Sequence, residues 1–108
     1  MATAGTAFSN PIDGESLIPL LKDSSAPWRD DLLCETNGHY DLVIGRMVVT
    51  GRHKYVETRG DMSELYDLEA DPIELNNLIG QEQYAGLQTD MRHRLSKWLE
   101  RTADTVHL

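Results

Sequence analysis

In this 108-residue sequence the side chains suited to chemistry are one thiol, Cys34, two adjacent carboxylates, Asp30 and Asp31, and four histidines. A structural zinc site takes four thiolate or imidazole ligands at short, regular spacings. Cys34 has no second cysteine, and no two histidines stand four residues apart, so no zinc site and no internal disulfide is expected. A buried thiol is the expected state of Cys34. Serine, histidine and aspartate all occur, but without a G-x-S-x-G elbow to present a nucleophile, so hydrolysis by this chain alone is not expected. His53 lies between Arg52 and Lys54 and reads as part of a basic hairpin tip. His93 follows Met91 by two residues, which places it off a helical stripe and in solvent. His39 stands in the polar loop "ETNGHY".

Composition narrows the partners. Eighteen acids against ten Lys and Arg give a formal charge of -8, which repels a phosphate backbone, so no nucleic-acid partner is expected. With 40% apolar and 26% charged residues the chain has ordinary globular composition, enough for one modest core. No apolar run approaches the ~20 residues of a membrane helix, and "MATAGTAFSNP" lacks a basic start and a long apolar middle; no membrane partner is expected. Neither feature, nor the lone cysteine, specifies a compartment. Charge is uneven: Arg46, Arg52, Lys54 and Arg59 face only Glu57, whereas the charged residues of 60–73 are all acidic. Two solvated faces are the expected result.

The elements follow from turn residues and periodicity. Residues 1–14 are small and turn-rich, an irregular lead-in. "ESLIPLLKD" reads as a short helical turn that docks its leucines while Pro19 limits its length. "DDLLCETN" carries Leu32 to Cys34 as a short buried strand, entered through Asp30 and Asp31. Two β-rich runs, 41–50 and 54–58, flank Thr50-Gly51-Arg52-His53, an antiparallel hairpin in which Gly51 can supply positive φ. "ELYDL" follows as a further strand, Leu65 and Asp67 on one face, Tyr66 and Leu68 on the other. Asp71 before Pro72, with Glu74 three residues on, reads as a helix N-cap and capping box. Tyr84, Leu87, Met91, Leu95 and Trp98 then form one apolar stripe on a helix over 81–101. The expected fold is α+β: a small antiparallel sheet of three to four strands with one long C-terminal amphipathic helix packed on one face.

Three segments, "IDGESLIPLL", "RMVVTGRHKYV" and "ELYDLEADPIELNNL", followed by the amphipathic helix, resemble in order and spacing the C-terminal region of the sulfatase family. Asp13, Gly14, Ser16, Leu17, Pro19, Leu20 and Leu21 match the first family segment. Arg46, Gly51, Lys54 and Tyr55 match the second. The third, from Glu64 to Leu78, supplies Leu65, Tyr66, Asp67, Leu68, Asp71, Pro72, Glu74, Asn77 and Leu78. All of these read as structural signature, with no catalytic and no metal-ligating residue among them.

The resemblance implies a sulfuric-ester hydrolase whose formylglycine nucleophile arises within C-x-P-S-R and whose metal, calcium in the usual case, is held by Asp and Asn. Cys34 stands in "CETNG", which has neither proline nor arginine, so no cofactor is expected in this chain and calcium only in a full-length parent. "ATAG" resembles an internal helix end of the catalytic domain. The resemblance therefore implies that the chain is cut from a longer enzyme. Residues 1–27 read as the end of the catalytic domain and a linker, and 28–108 as the C-terminal subdomain. Such a subdomain would brace the fold and the active-site rim, where His39 is the candidate contact to an anionic substrate, with the missing catalytic domain as partner. A second reading stays open: a non-enzymatic module that self-associates or binds another chain through the surface a catalytic domain would cover.

Overall fold

The computed structural model describes residues 5–38 and 43–108. Four strands, β1 (Asp31–Asn37), β2 (Ile44–Thr50), β3 (His53–Thr58) and β4 (Glu64–Asp67), form one antiparallel sheet in the order β1-β2-β3-β4. A short helix, α1 (Ile18–Lys22), precedes the sheet. A 3-10 turn at Glu82–Tyr84 leads into the long helix α2 (Ala85–Arg101).

Register explains which side chains are buried. Leu33 pairs with Val48, Val48 with Tyr55, and Tyr55 with Leu65, so these four share one face of the sheet. α2 lays Met91, Leu95 and Trp98 on that row, and Leu33, Leu78, Ile79, Tyr84, Leu87 and Leu99 close its margins. Each fully buried aliphatic or aromatic side chain contributes roughly 1.5–3 kcal/mol of transfer free energy. The α+β architecture, the helix stripe and the alternation of Leu65 and Tyr66 thus stand as the sequence indicates, and His93 is exposed.

Four local expectations are corrected. Cys34 is exposed, not buried, because β1 is an edge strand and Cys34 points away from α2. Gly51 does not use positive φ; instead Thr50 Oγ1 accepts the N–H groups of Arg52 and His53 and closes the hairpin. No helix starts at Asp71. Its carboxylate accepts the N–H of Leu75 and Asn76, four and five residues on, and Glu74 has φ 56°, which a helix forbids. Finally, α1 buries none of its residues, so the leucines expected to dock do not reach the core.

Candidate functional site

The acidic signature segment is a hydrogen-bonded clasp. Asp67 Oδ1 accepts the N–H groups of Glu69 and Ala70, which turns the chain after β4, while both carboxylate oxygens receive the Arg52 guanidinium, Nη2 to Oδ2 at 2.8 Å. The Arg52 bond first, and then the backbone donors, hold this carboxyl well below the usual carboxylate range. Lys54 Nζ meets Glu74 Oε1 at 2.5 Å. The basic and acidic stretches therefore pair with each other across the sheet, where two separate solvated faces are expected from sequence. Tyr66 donates to Glu64 Oε1 at 2.7 Å. That bond, with burial, pushes its phenol up to about 12.

Asn77 completes the clasp. Its Oδ1 accepts the N–H of Leu65 and of Ile79, each at 3.0 Å, and its Nδ2 donates to the Ser63 carbonyl. Leu78 N–H then bonds the Leu65 carbonyl at 2.8 Å. Residues 77–79 so cover the outer edge of β4, and Leu78 enters the core margin.

A cleft of about 840 Å³ lies at the other end of the helix-facing side, walled by Asp13 and Gly14, by Arg29, by the sheet and by the chain after α2. Its floor is Arg46, only 4% exposed. Arg46 Nε donates to Asp104 Oδ2 at 2.6 Å, Nη1 to the carbonyls of Thr36 and Gly45, and Nη2 to Asn37 Oδ1. Ala103, with φ 54°, reverses the chain after α2 and so delivers Asp104 to this guanidinium. Arg46 first, then the Val106 N–H, lowers the Asp104 carboxyl. Arg29 lies over the faces of both Trp28 and Trp98, bonds the Asp13 carbonyl and pairs with Glu15. Arg59 Nε donates to the His107 carbonyl at 2.7 Å.

Chemically, the cleft holds groups together. Among the described residues its lining includes no cysteine, serine or histidine, and each of its arginines already has a protein partner. Among the described residues no group of three or more His, Cys, Asp and Glu is placed to hold a metal ion. Asp30 and Asp31 both receive Arg94 Nη1, and Asp31 also accepts Trp98 Nε1 at 2.8 Å, so these carboxylates fasten β1 to α2. His39 lies outside the described residues. Of the signature residues, Asp13 and Gly14 line the cleft with Arg46, whereas Lys54, Asp67, Asp71, Glu74 and Asn77 build the clasp. Tyr55 packs in the core and reaches Glu57 with its hydroxyl. Sequence reasoning passes over Arg29 and Asp104 and reads Arg59 only as part of a basic stretch, because nothing in their spacing announces partners 16, 58 and 48 residues away.

The family described as N-sulphoglucosamine sulphohydrolase, C-terminal, matches residues 1–101. The chain is 32% identical over 104 residues to an arylsulfatase of Clostridium perfringens, covering 90% of this chain and 20% of that one. It is 27% identical over 94 residues to an uncharacterized protein of Haemophilus influenzae, covering 87% of this chain and 48% of that one. A solved structure described as in complex with its substrate, D-glucosamine-2-N,6-O-disulfate, superposes with a TM-score of 0.85 at 26% identity, covering 96% of this chain and 23% of that one. The chain thus spans about half of the Haemophilus protein and about a fifth of the arylsulfatase.

Proposed function

The chain belongs to the N-sulphoglucosamine sulphohydrolase C-terminal family, and from that premise we propose that it braces the fold and the active-site rim of a sulfuric-ester hydrolase without performing the chemistry itself. It corresponds to the C-terminal subdomain of sulfatases, not to a complete catalytic unit. The match over residues 1–101, together with a sequence that has no C-x-P-S-R, carries this reading. The clasp and the Arg46 cleft are its bracing parts: both tie distant stretches of chain to the sheet through ion pairs and hydrogen bonds.

The partner in this reading is the catalytic domain. Residues 1–27 are its end and linker, and 28–108 the subdomain proper. Support comes from the segment around α1, where Phe8, Leu17 and Leu21 expose more than half of their surface. The radius of gyration, 16.4 Å, exceeds the roughly 13 Å of a compact chain of this length. His39, in sequence between β1 and β2, is the residue assigned to the rim.

Calcium would serve the parent's catalytic domain. Asp30 and Asp31 do not fit it, since they are engaged by Arg94 and Trp98, and among the described residues no three metal-ligating side chains gather. A second reading, self-association, is favoured by one observation. The face of the sheet opposite α2 carries Leu32, Cys34, Met47, Val49 and Val56, and among the described residues no helix or strand packs on it. The purified chain should not hydrolyse a chromogenic aryl sulfate above the uncatalysed rate, with or without added calcium. Metal-dependent turnover by a homogeneous sample would sink the bracing role.

A further inference from the structure

The two edges of the sheet are treated differently. β4 is covered by residues 77–79, whereas no backbone group of any described residue bonds the outer edge of β1. The direction of the free groups follows from the ladder. Both the N–H and the carbonyl of Leu65 bond outward, to Asn77 and Leu78, so Tyr55 and Leu65 are a pair without mutual hydrogen bonds. Alternation across the sheet then turns the backbone of Tyr55 toward Val48 and that of Val48 toward Tyr55. The Ile44 carbonyl agrees, since it bonds the Arg59 N–H on the β3 side. Leu33, opposite Val48, is therefore another pair without mutual bonds, and the backbone groups of Leu33 and Glu35 point outward from β1.

We infer that this edge is a docking site for β1 of a second copy of the same chain, paired antiparallel about a two-fold axis at Cys34. Cys34 is the middle residue of β1, so this register is the one that overlaps both strands along their whole length. It opposes Leu33 with Glu35 of the other copy, and each of these aims at the other an N–H and a carbonyl that no backbone group of a described residue bonds. Asp31 meets Asn37, Leu32 meets Thr36, and no two acids are directly opposed. The strand has no proline, no lysine and no bulge, and its two charged residues, Asp31 and Glu35, are paired within the chain with Arg94 and Arg46. Pairing also joins the uncovered apolar faces of the two copies into one surface. The inference deepens the self-association reading and is independent of the bracing role.

The register predicts its own probe. Two Cys34 residues at the axis form a pair without mutual hydrogen bonds, whose Cα atoms lie about 4.5 Å apart, within the span a disulfide bridges. Oxidised glutathione converts two facing thiols into one disulfide and is itself reduced to two thiols. At about 100 μM, where a Kd near 10 μM leaves most copies paired, sedimentation should show a dimer and oxidation should trap it. Cys34→Ser should keep the dimer and lose the cross-link. In that background Leu32→Cys alone should cross-link at least tenfold more slowly than Cys34 does, because it faces residue 36. Adding Thr36→Cys should restore the rate. A strict monomer at that concentration, or equal rates for Cys34 and the lone Leu32→Cys, would overturn the pairing while leaving the bracing role untouched.

Discussion

Arg46 Nε and Asp104 Oδ2 lie 2.6 Å apart across 58 positions of sequence, with the guanidinium almost wholly enclosed. This bond fastens the chain after α2 to the middle of the sheet. Arg46→Ala would leave Asp104, Asn37 and two carbonyls without their donor, and breaking a buried charged network of this kind costs about 3–5 kcal/mol. Asp104→Asn, which keeps an acceptor oxygen, should lower the denaturation midpoint by much less. Urea unfolding followed by tryptophan fluorescence compares them, and equal losses would show that the tail is not held through Arg46.

The second prediction concerns the helix face. Trp98 is buried against the sheet and donates to Asp31, so Trp98→Ala should cost about 3–5 kcal/mol, enough to unfold a domain of marginal stability. His93 is exposed on the other side of α2, and His93→Ala should cost no more than about 0.5 kcal/mol. Circular dichroism against denaturant measures both, and similar losses would mean that a different face of α2 meets the sheet.

The contrast between these sites shows how much of the molecule was legible in sequence. Trp98 was readable because a period of three and four residues is imposed by burial of one helix face, and Leu65 because strand alternation imposes a period of two. Arg46 was readable only as part of a family pattern. Its partner Asp104 was not readable at all, since long-range hydrogen bonds leave no local period. Asp71-Pro72 misled for a physical reason: a capping carboxylate and an Asx-type turn use the same residue types, and only the positive φ at Glu74 separates them. Cys34 misled because an apolar run does not reveal whether its strand is central or at an edge.

The adjacent asparagines give a sharper test of the clasp. Asn77 satisfies three backbone groups with one side chain, while the Asn76 side chain is exposed and only its backbone N–H bonds Asp71. At about 1 kcal/mol per bond, Asn77→Ala should cost about 2–4 kcal/mol, and Asn76→Ala about 0.5 kcal/mol or less. Amide hydrogen exchange should report the Leu65 and Ile79 N–H groups deprotected in the first variant alone. Unchanged protection there would remove Asn77 from the role of edge cover.

Acid should reveal the clasp through Asp67. Its folded carboxyl titrates well below the ordinary value of 3.8, first because Arg52 bonds it and then because of the Ala70 N–H. Between those two values the unfolded chain binds more protons than the folded one, so stability rises with pH in that window. The contribution is therefore fully present above about pH 5, and is lost as the pH falls through the unfolded value toward the folded one. Asp67→Asn removes the titrating group while keeping an acceptor for the turn. The variant should melt at a lower temperature than the parent at pH 7, and the two melting curves should draw together between about pH 5 and pH 2. Some acid sensitivity will persist in the variant, since Asp104 is also held low by Arg46. Melting temperatures that stay separated by the same interval down to pH 2 would show that the Asp67 carboxylate does not stabilise the turn through its charge.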